Sequence, residues 1–164
     1  MAENKSSPVM NLADVTYKDW GDGGKFEAKL GGLGQVLGAQ KLGYSVTRLA
    51  PGKAAFPYHL HHANEEMFMV LEGTGTLRFA DEEYPLRKGD VICCPPGPGT
   101  ARQIRNTSNS ELVYLAVSTR ESPEVAEYPD SDKYAVMCGT MPKPEFRILG
   151  MKNAGVDYFE GESD

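Results

Sequence analysis

Punctuation by glycine and proline constrains this sequence more than any other feature. Eighteen Gly and eleven Pro are spread through 164 residues, a density that leaves little room for long helices. From about residue 43 the breakers fall between short runs rich in β-branched and aromatic residues. Residues 44–50 stop at Pro51-Gly52, and residues 57–63 follow. Residues 66–71 (EMFMVL) stop at Glu72-Gly73, 74–80 at Asp81-Glu82, 83–87 at Lys88-Gly89 and 90–94 at Pro95-Pro96-Gly97. Residues 102–107 and 112–119 complete the series. Short strands at regular spacing with turn signals between them predict an all-β sandwich or barrel. No segment sustains a helical period. Residues 121–128 (ESPEVAEY) are the one stretch that fits a helical turn.

Charge is distributed unevenly. Residues 1–120 hold 13 acids and 13 bases, whereas residues 121–164 hold ten acids and four bases. The net charge of −6 therefore belongs to the C-terminal part and argues against a nucleic-acid partner, which needs a basic face. The longest apolar run, residues 112–117, is too short to span a bilayer, so no membrane partner is expected. Residues 1–14 lack the apolar core of a signal peptide. Three cysteines, two of them adjacent at Cys93 and Cys94, form neither a disulfide framework nor a CxxC knuckle. A reducing, cytoplasmic setting is the expectation. Residues 1–40 read as an N-terminal arm with its first ten or so residues mobile, residues 41–120 as the barrel, and residues 121–164 as an extension. The extension carries Tyr128, Tyr134, Phe146, Tyr158 and Phe159, too aromatic for a disordered tail. It is expected to pack on its own barrel or on a second subunit.

All three histidines fall in one stretch, His59-Leu60-His61-His62. On a strand, His59 and His61 share a face and His62 takes the other. Two imidazoles roughly 6.5–7 Å apart along a strand can converge on one metal ion. Glu65 or Glu66 could add a hard oxygen ligand. Two His and one carboxylate suit Fe(II), Mn(II), Zn(II) or Ni(II). A polar strand edge would explain HxH alone. The nearby Glu and the bracketing glycines favour a site. His62 reads as surface, interface or support.

The pattern Gly52-(x6)-His59-x-His61-(x4)-Glu66-(x6)-Gly73 resembles the first motif of the cupin superfamily, with one extra residue after the first glycine. Gly89-(x5)-Pro95-x-Gly97 followed by Asn106 resembles the second. The resemblance, to small single-domain cupins, implies an antiparallel double-stranded β-helix, a metal site inside it and a homodimer. It makes His59, His61 and Glu66 the ligands of one divalent ion (Zn, Mn, Fe or Ni).

The sequence departs from the family at the fourth ligand. Counting four residues back from Asn106 gives Arg102, not histidine. A guanidinium has no lone pair to offer a metal. Three readings follow. The ion keeps three protein ligands while Arg102 binds an anionic group of the substrate; or metal is lost and Arg102 pairs with Glu66; or the longer loop at residues 98–101 slips the register and turns Gln103 inward. Cys93 and Cys94 enter the second motif, and one of them should face the interior, as a small apolar filler or as a thiolate favouring zinc. Glu72, Arg78 and Arg48 fit a barrel mouth or an exposed strand face equally. The run from Tyr114 to Asp132, YLAVSTRES…AEYPDSD, is similar to single-domain cupins regarded as sugar-phosphate isomerases. That implies aldose–ketose interconversion like that of mannose-6-phosphate isomerase, on a small anionic or sugar-phosphate ligand. No residue stands out as the base, and Glu72 and Tyr84 carry no argument for the role. The alternatives are a non-haem iron dioxygenase acting on a small anion, and a non-catalytic small-molecule-binding cupin with a degenerate site.

Overall fold

The computed structural model describes residues 7–139 and 143–162. Thirteen strands are present among them, in antiparallel sheets. One sheet takes β1 (Lys18–Gly21), β2 (Glu27–Gly32), β3 (Leu42–Leu49), β10 (Leu112–Thr119), β5 (Glu66–Glu72) and β8 (Val91–Cys94), in that spatial order. A second group is β7 (Glu82–Arg87), β6 (Thr74–Phe79) and β9 (Arg102–Arg105). A third is β13 (Phe146–Met151), β12 (Lys133–Cys138), β11 (Glu124–Tyr128) and β4 (Leu60–His61). His59 and Arg102 exchange backbone hydrogen bonds of 3.2 and 2.8 Å, which ties the second and third groups into one wall opposite the six-stranded sheet. The chain is an all-β jelly-roll barrel.

Alternation explains the core. On β5, Phe68 and Val70 are buried while Met69 faces out, so Glu66, two residues before Phe68, shares their inward face. Leu49, Leu77, Leu86, Ile92, Cys94, Ile104, Leu112 and Tyr114 join Phe68 and Val70 between the walls. The outer face of the six-stranded sheet is covered too. There Val15 and Leu33, with Met10, Tyr17 and Leu37, pack on Val46 and Val113. The mobility expected of the first ten residues lies largely outside the described part, which begins at residue 7. Gly73, which closes the first motif, has φ +80°, and a Cβ there would lie 2.2 Å from the Glu111 carbonyl oxygen. Only glycine fits that turn.

One expectation is corrected. Residues 124–128 are strand, not a helical turn: β11 pairs with β12 from Glu124↔Met137 to Tyr128↔Lys133, and with β4 at Ala126↔His61. Ladder hydrogen bonds on both sides override the local preference of Glu and Ala for helix. The extension thereby docks on its own barrel, directly beside the histidine strand. No helix among the described residues is long and apolar enough to cross a membrane.

Candidate metal centre

His59, His61 and Glu66 place their ligating atoms within 4.8 Å of one another. His61 ends β4 and His59 lies just before it, bridged to Arg102. Tyr58 and Leu60 pack with Ala101 on one side, so the intervening His59 and His61 face the other. Their rings meet edge to face, centroids 5.1 Å apart. Glu66 comes from the start of β5 across the barrel, and its Oε1 lies 3.8 Å from His61 Nε2. Glu65 points outward, where its carboxylate accepts from the Cys93 thiol, and takes no part.

Each imidazole is oriented from behind. His59 Nδ1–H donates to the Pro57 carbonyl at 2.8 Å, which leaves Nε2 as the free lone pair. His61 Nδ1 is buried without a hydrogen-bond partner and faces Glu124 Oε2 at 3.6 Å. Glu124, 4% exposed, also accepts from the backbone N–H groups of His62 (3.0 Å), Ala63 (3.3 Å) and Asn64 (2.9 Å), and from the Asn64 side chain. Burial pushes the Glu124 carboxyl up, but His61 and these donors outweigh it and hold it at about 2. Burial, with the Arg102 charge behind it, pushes His59 down to about 4. Both ring orientations thus present lone pairs toward Glu66, as a metal ligand set requires. The residues fit a divalent ion with three protein ligands.

Arg102 is 1% exposed. Its Nε donates to Glu66 Oε2 at 3.1 Å and Nη2 donates to the same oxygen. Nη1 is buried without a partner. The register therefore turns Arg102 inward and brings it to Glu66, while Gln103 donates to the Phe56 carbonyl at 2.9 Å. Glu66 is divided: one oxygen belongs to Arg102 and the other faces His61. Arg102 lines a void of about 20 Å³ with Phe56, His59 and Phe68, beneath the main cavity.

That cavity measures about 570 Å³ and is lined by His59, His61 and Glu66 together with Trp20, Tyr44, Phe56, Phe68, Tyr128 and Leu149. Tyr128 stacks on His59 at 6.1 Å and 28°. Cys94 is buried in the core, and burial raises its thiol to about 12; it is not among the clustered donors. His62 points away and pairs with Glu127 at 2.7 Å. Arg48 and Arg78 pair with Glu111 and Asp130 on the outside. Neither they nor Glu72 nor Tyr84 line the cavity.

The family model for the cupin domain matches residues 45–118. That stretch, a little under half of the chain, is what matches a cupin domain. Among solved structures, a protein from Acidithiobacillus ferrooxidans provisionally described as a sugar phosphate isomerase superposes with TM-score 0.74 at 26% identity, over 87% of this chain and 91% of its own. A cupin-superfamily sugar phosphate isomerase from Silicibacter pomeroyi gives 0.78 at 24% identity, over 90% and 94%, and speaks to fold. In sequence, auxin-binding protein 1 of Arabidopsis thaliana is 29% identical over 132 residues, 74% of this chain and 64% of that protein. The matched part spans between 55% and 64% of the length of the curated relatives.

Sequence reasoning missed Glu124, Tyr128 and the other extension residues of the cavity. The available signal was the alternation Glu124, Ala126, Tyr128, which places the three on one strand face.

Proposed function

We propose that this cupin is a metal-dependent sugar-phosphate isomerase that interconverts an aldose and a ketose. The observation that carries the reading is the His59–His61–Glu66 cluster on the wall of an otherwise largely apolar cavity. Similarity to the Acidithiobacillus ferrooxidans protein supports it. A divalent ion held there supplies Lewis-acid polarisation of a substrate carbonyl and its neighbouring hydroxyl. The chain's own contribution is orientation. Pro57 and Glu124 fix the two imidazoles, and Arg102 fixes Glu66. Arg102 carries a buried donor without a partner at Nη1, but it lines the void of about 20 Å³ and not the main cavity, so its role toward a ligand is at most to meet a single anionic oxygen there. Among the described residues Glu66 is the sole carboxylate lining the cavity; with Oε2 held by Arg102 and Oε1 in the ligand cluster, it serves the ion, and no residue is assigned as the base that moves a proton between adjacent carbons.

The test is metal analysis of the purified chain followed by an assay for interconversion of mannose 6-phosphate and fructose 6-phosphate. Isomerisation that is lost in His61→Ala and on chelation supports the reading. A metal-loaded chain that leaves both sugars unchanged sinks it, and oxygen uptake with bound iron would point to the dioxygenase. A binding module is the second reading. The aromatic wall of Trp20, Phe56 and Phe68 and the similarity to auxin-binding protein 1 favour it. It predicts ligand retention without turnover.

A further inference from the structure

The arginines of this chain divide cleanly. Five of the seven have a carboxylate within 4 Å: Arg48 with Glu111, Arg78 with Asp130, Arg87 with Asp90, Arg102 with Glu66, and Arg105 with Glu83. The other two, Arg120 and Arg147, have no such partner among the described residues, and both line the 570 Å³ cavity. Lys133 lines it as well. Unpaired surface cations are ordinary, but their placement here is not. Lys133 and Arg147 come from the segment that holds ten acids against four bases, yet among the described residues that segment puts no carboxylate on the cavity wall. Its acids are used elsewhere: Glu124 behind His61, Glu127 with His62 and Lys152, and Asp130 with Arg78.

Register places Lys133 and Arg147 on one face of the sheet, on neighbouring strands and four residues apart along it. Glu124, Met137 and Arg147 stand opposite one another across β11, β12 and β13, as do Tyr128, Lys133 and Met151. Lys133 is thus one strand from the Tyr128 ring that stacks on His59, and Arg147 lies two strands from β11. Neighbouring strands are about 4.8 Å apart, so these cations stand about 5–10 Å from the histidine strand's neighbour. That is within reach of an open-chain sugar phosphate whose other end lies at the cluster. Arg120 closes the opposite side. It crosses Gly43, where a Cβ would lie 3.2 Å from its Nε, and Nη1 donates to the Ala39 carbonyl at 3.4 Å.

We propose that Arg120, Lys133 and Arg147 form an oxyanion subsite at the cavity mouth that holds the phosphoryl group of the ligand, while its carbon chain points to His59, His61 and Glu66. Arginine forks match phosphoryl oxygens, and three cations lining one cavity favour a dianion over a monoanion. The assignment of the remainder of the ligand rests on the isomerase reading; the subsite is tested without turnover.

Fructose 6-phosphate, fructose, inorganic phosphate and malonate are titrated calorimetrically into the full chain after chelation. The phosphate ester should bind, fructose should not, and affinity should fall with salt. Arg147→Gln should weaken binding of the ester by about tenfold or more, with an unchanged melting temperature because the side chain is exposed. The Arg120→Gln, Arg147→Gln double variant should abolish binding, Arg147→Lys should fall between, and Arg87→Gln, outside the cavity, should have no effect. Equal affinity for malonate, or unchanged ester binding in the folded double variant, overturns the proposal. Phosphate binding that behaves as expected in a chain without isomerase activity upholds the subsite and removes the isomerase reading. Isomerisation with an unchanged KM in the double variant does the reverse.

Discussion

Replacing Glu124 by alanine tests whether the extension holds the histidine strand in place. The carboxylate collects N–H groups from three consecutive residues, but they do not depend on it equally. The His62 N–H also donates to the Val125 carbonyl at 2.8 Å, and the Asn64 side chain also donates to the Glu121 carbonyl at 3.2 Å. The backbone N–H groups of Ala63 and Asn64 have Glu124 as their acceptor. Truncation strips both. At about 1–3 kcal/mol for each buried donor left unsatisfied, Glu124→Ala should destabilise the metal-free chain by about 2–6 kcal/mol. A chain of this size shifts by about 2–4 °C per kcal/mol, so a cost near the middle of that range lowers the melting temperature by about 8–16 °C. Glu124→Gln keeps one acceptor oxygen and should lose about half as much. Because Glu124 also faces His61 Nδ1, both variants should bind a divalent ion about 10–100-fold more weakly. Thermal unfolding after chelation and zinc titration by calorimetry read the two effects separately. A Glu124→Ala protein that melts within about 2 °C of the parent and binds zinc equally well would refute the account of how His61 is positioned.

Two further outcomes follow from the buried charges. His59 takes up its proton near pH 4 rather than 6.5, so between those values the unfolded chain binds more protons than the folded one. The metal-free chain should therefore lose up to about 3 kcal/mol as pH falls from about 6.5 to about 4; a histidine NMR titration with a midpoint near 6.5 would contradict this. Arg102→His removes a fixed cation from beside Glu66 and offers an imidazole in its place. Divalent-ion affinity should rise by about tenfold or more, while the metal-free chain loses about 3 kcal/mol with the buried ion pair. Calorimetry showing unchanged affinity would mean that Arg102 does not stand where a fourth ligand would.

The barrel was legible because its signals are local. Each run between residues 44 and 119 is rich in apolar, β-branched or aromatic residues and bounded by turn residues, and the strands at Leu42–Leu49, Glu66–Glu72 and Leu112–Thr119 coincide with such runs. The metal cluster was legible for the same reason: alternation alone puts His59 with His61, and Glu66 with Phe68. What escaped was everything built by pairing at a distance. β1 is exposed along its length and carries no apolar alternation to mark it. β11 reads locally as a helix former and becomes a strand only because β4 and β12 lie on either side of it. Glu124 is one of ten acids in its segment; its alternation with Ala126 and Tyr128 marks a face only once the segment is a strand, and its meeting with His61, 63 positions earlier in the chain, comes from the pairing of β11 with β4. Pairing of Arg102 with Glu66 is among the three readings the sequence leaves open; the inward register that realises it comes with the His59–Arg102 bridge, which no local pattern encodes.

Arg102 also changes what the site must attract. Where a fourth histidine would be neutral, the guanidinium adds a fixed positive charge beside the cluster. A divalent ion held by His59, His61 and Glu66 would then sit among two carboxylates: Glu66, whose oxygens are divided between His61 and Arg102, and Glu124 behind His61. Those two negative charges balance two of the three positive ones. The remaining positive charge is buried, where it cannot be screened as a surface charge is, and Arg120, Lys133 and Arg147 line the cavity above it. In a chain of net charge −6, the cavity is therefore the place where the field runs opposite to that of the molecule as a whole. If the isomerase reading holds, an anionic ligand should be drawn to it and a neutral sugar should not, which is why the comparison of fructose with its phosphate ester bears on the whole reading of the site.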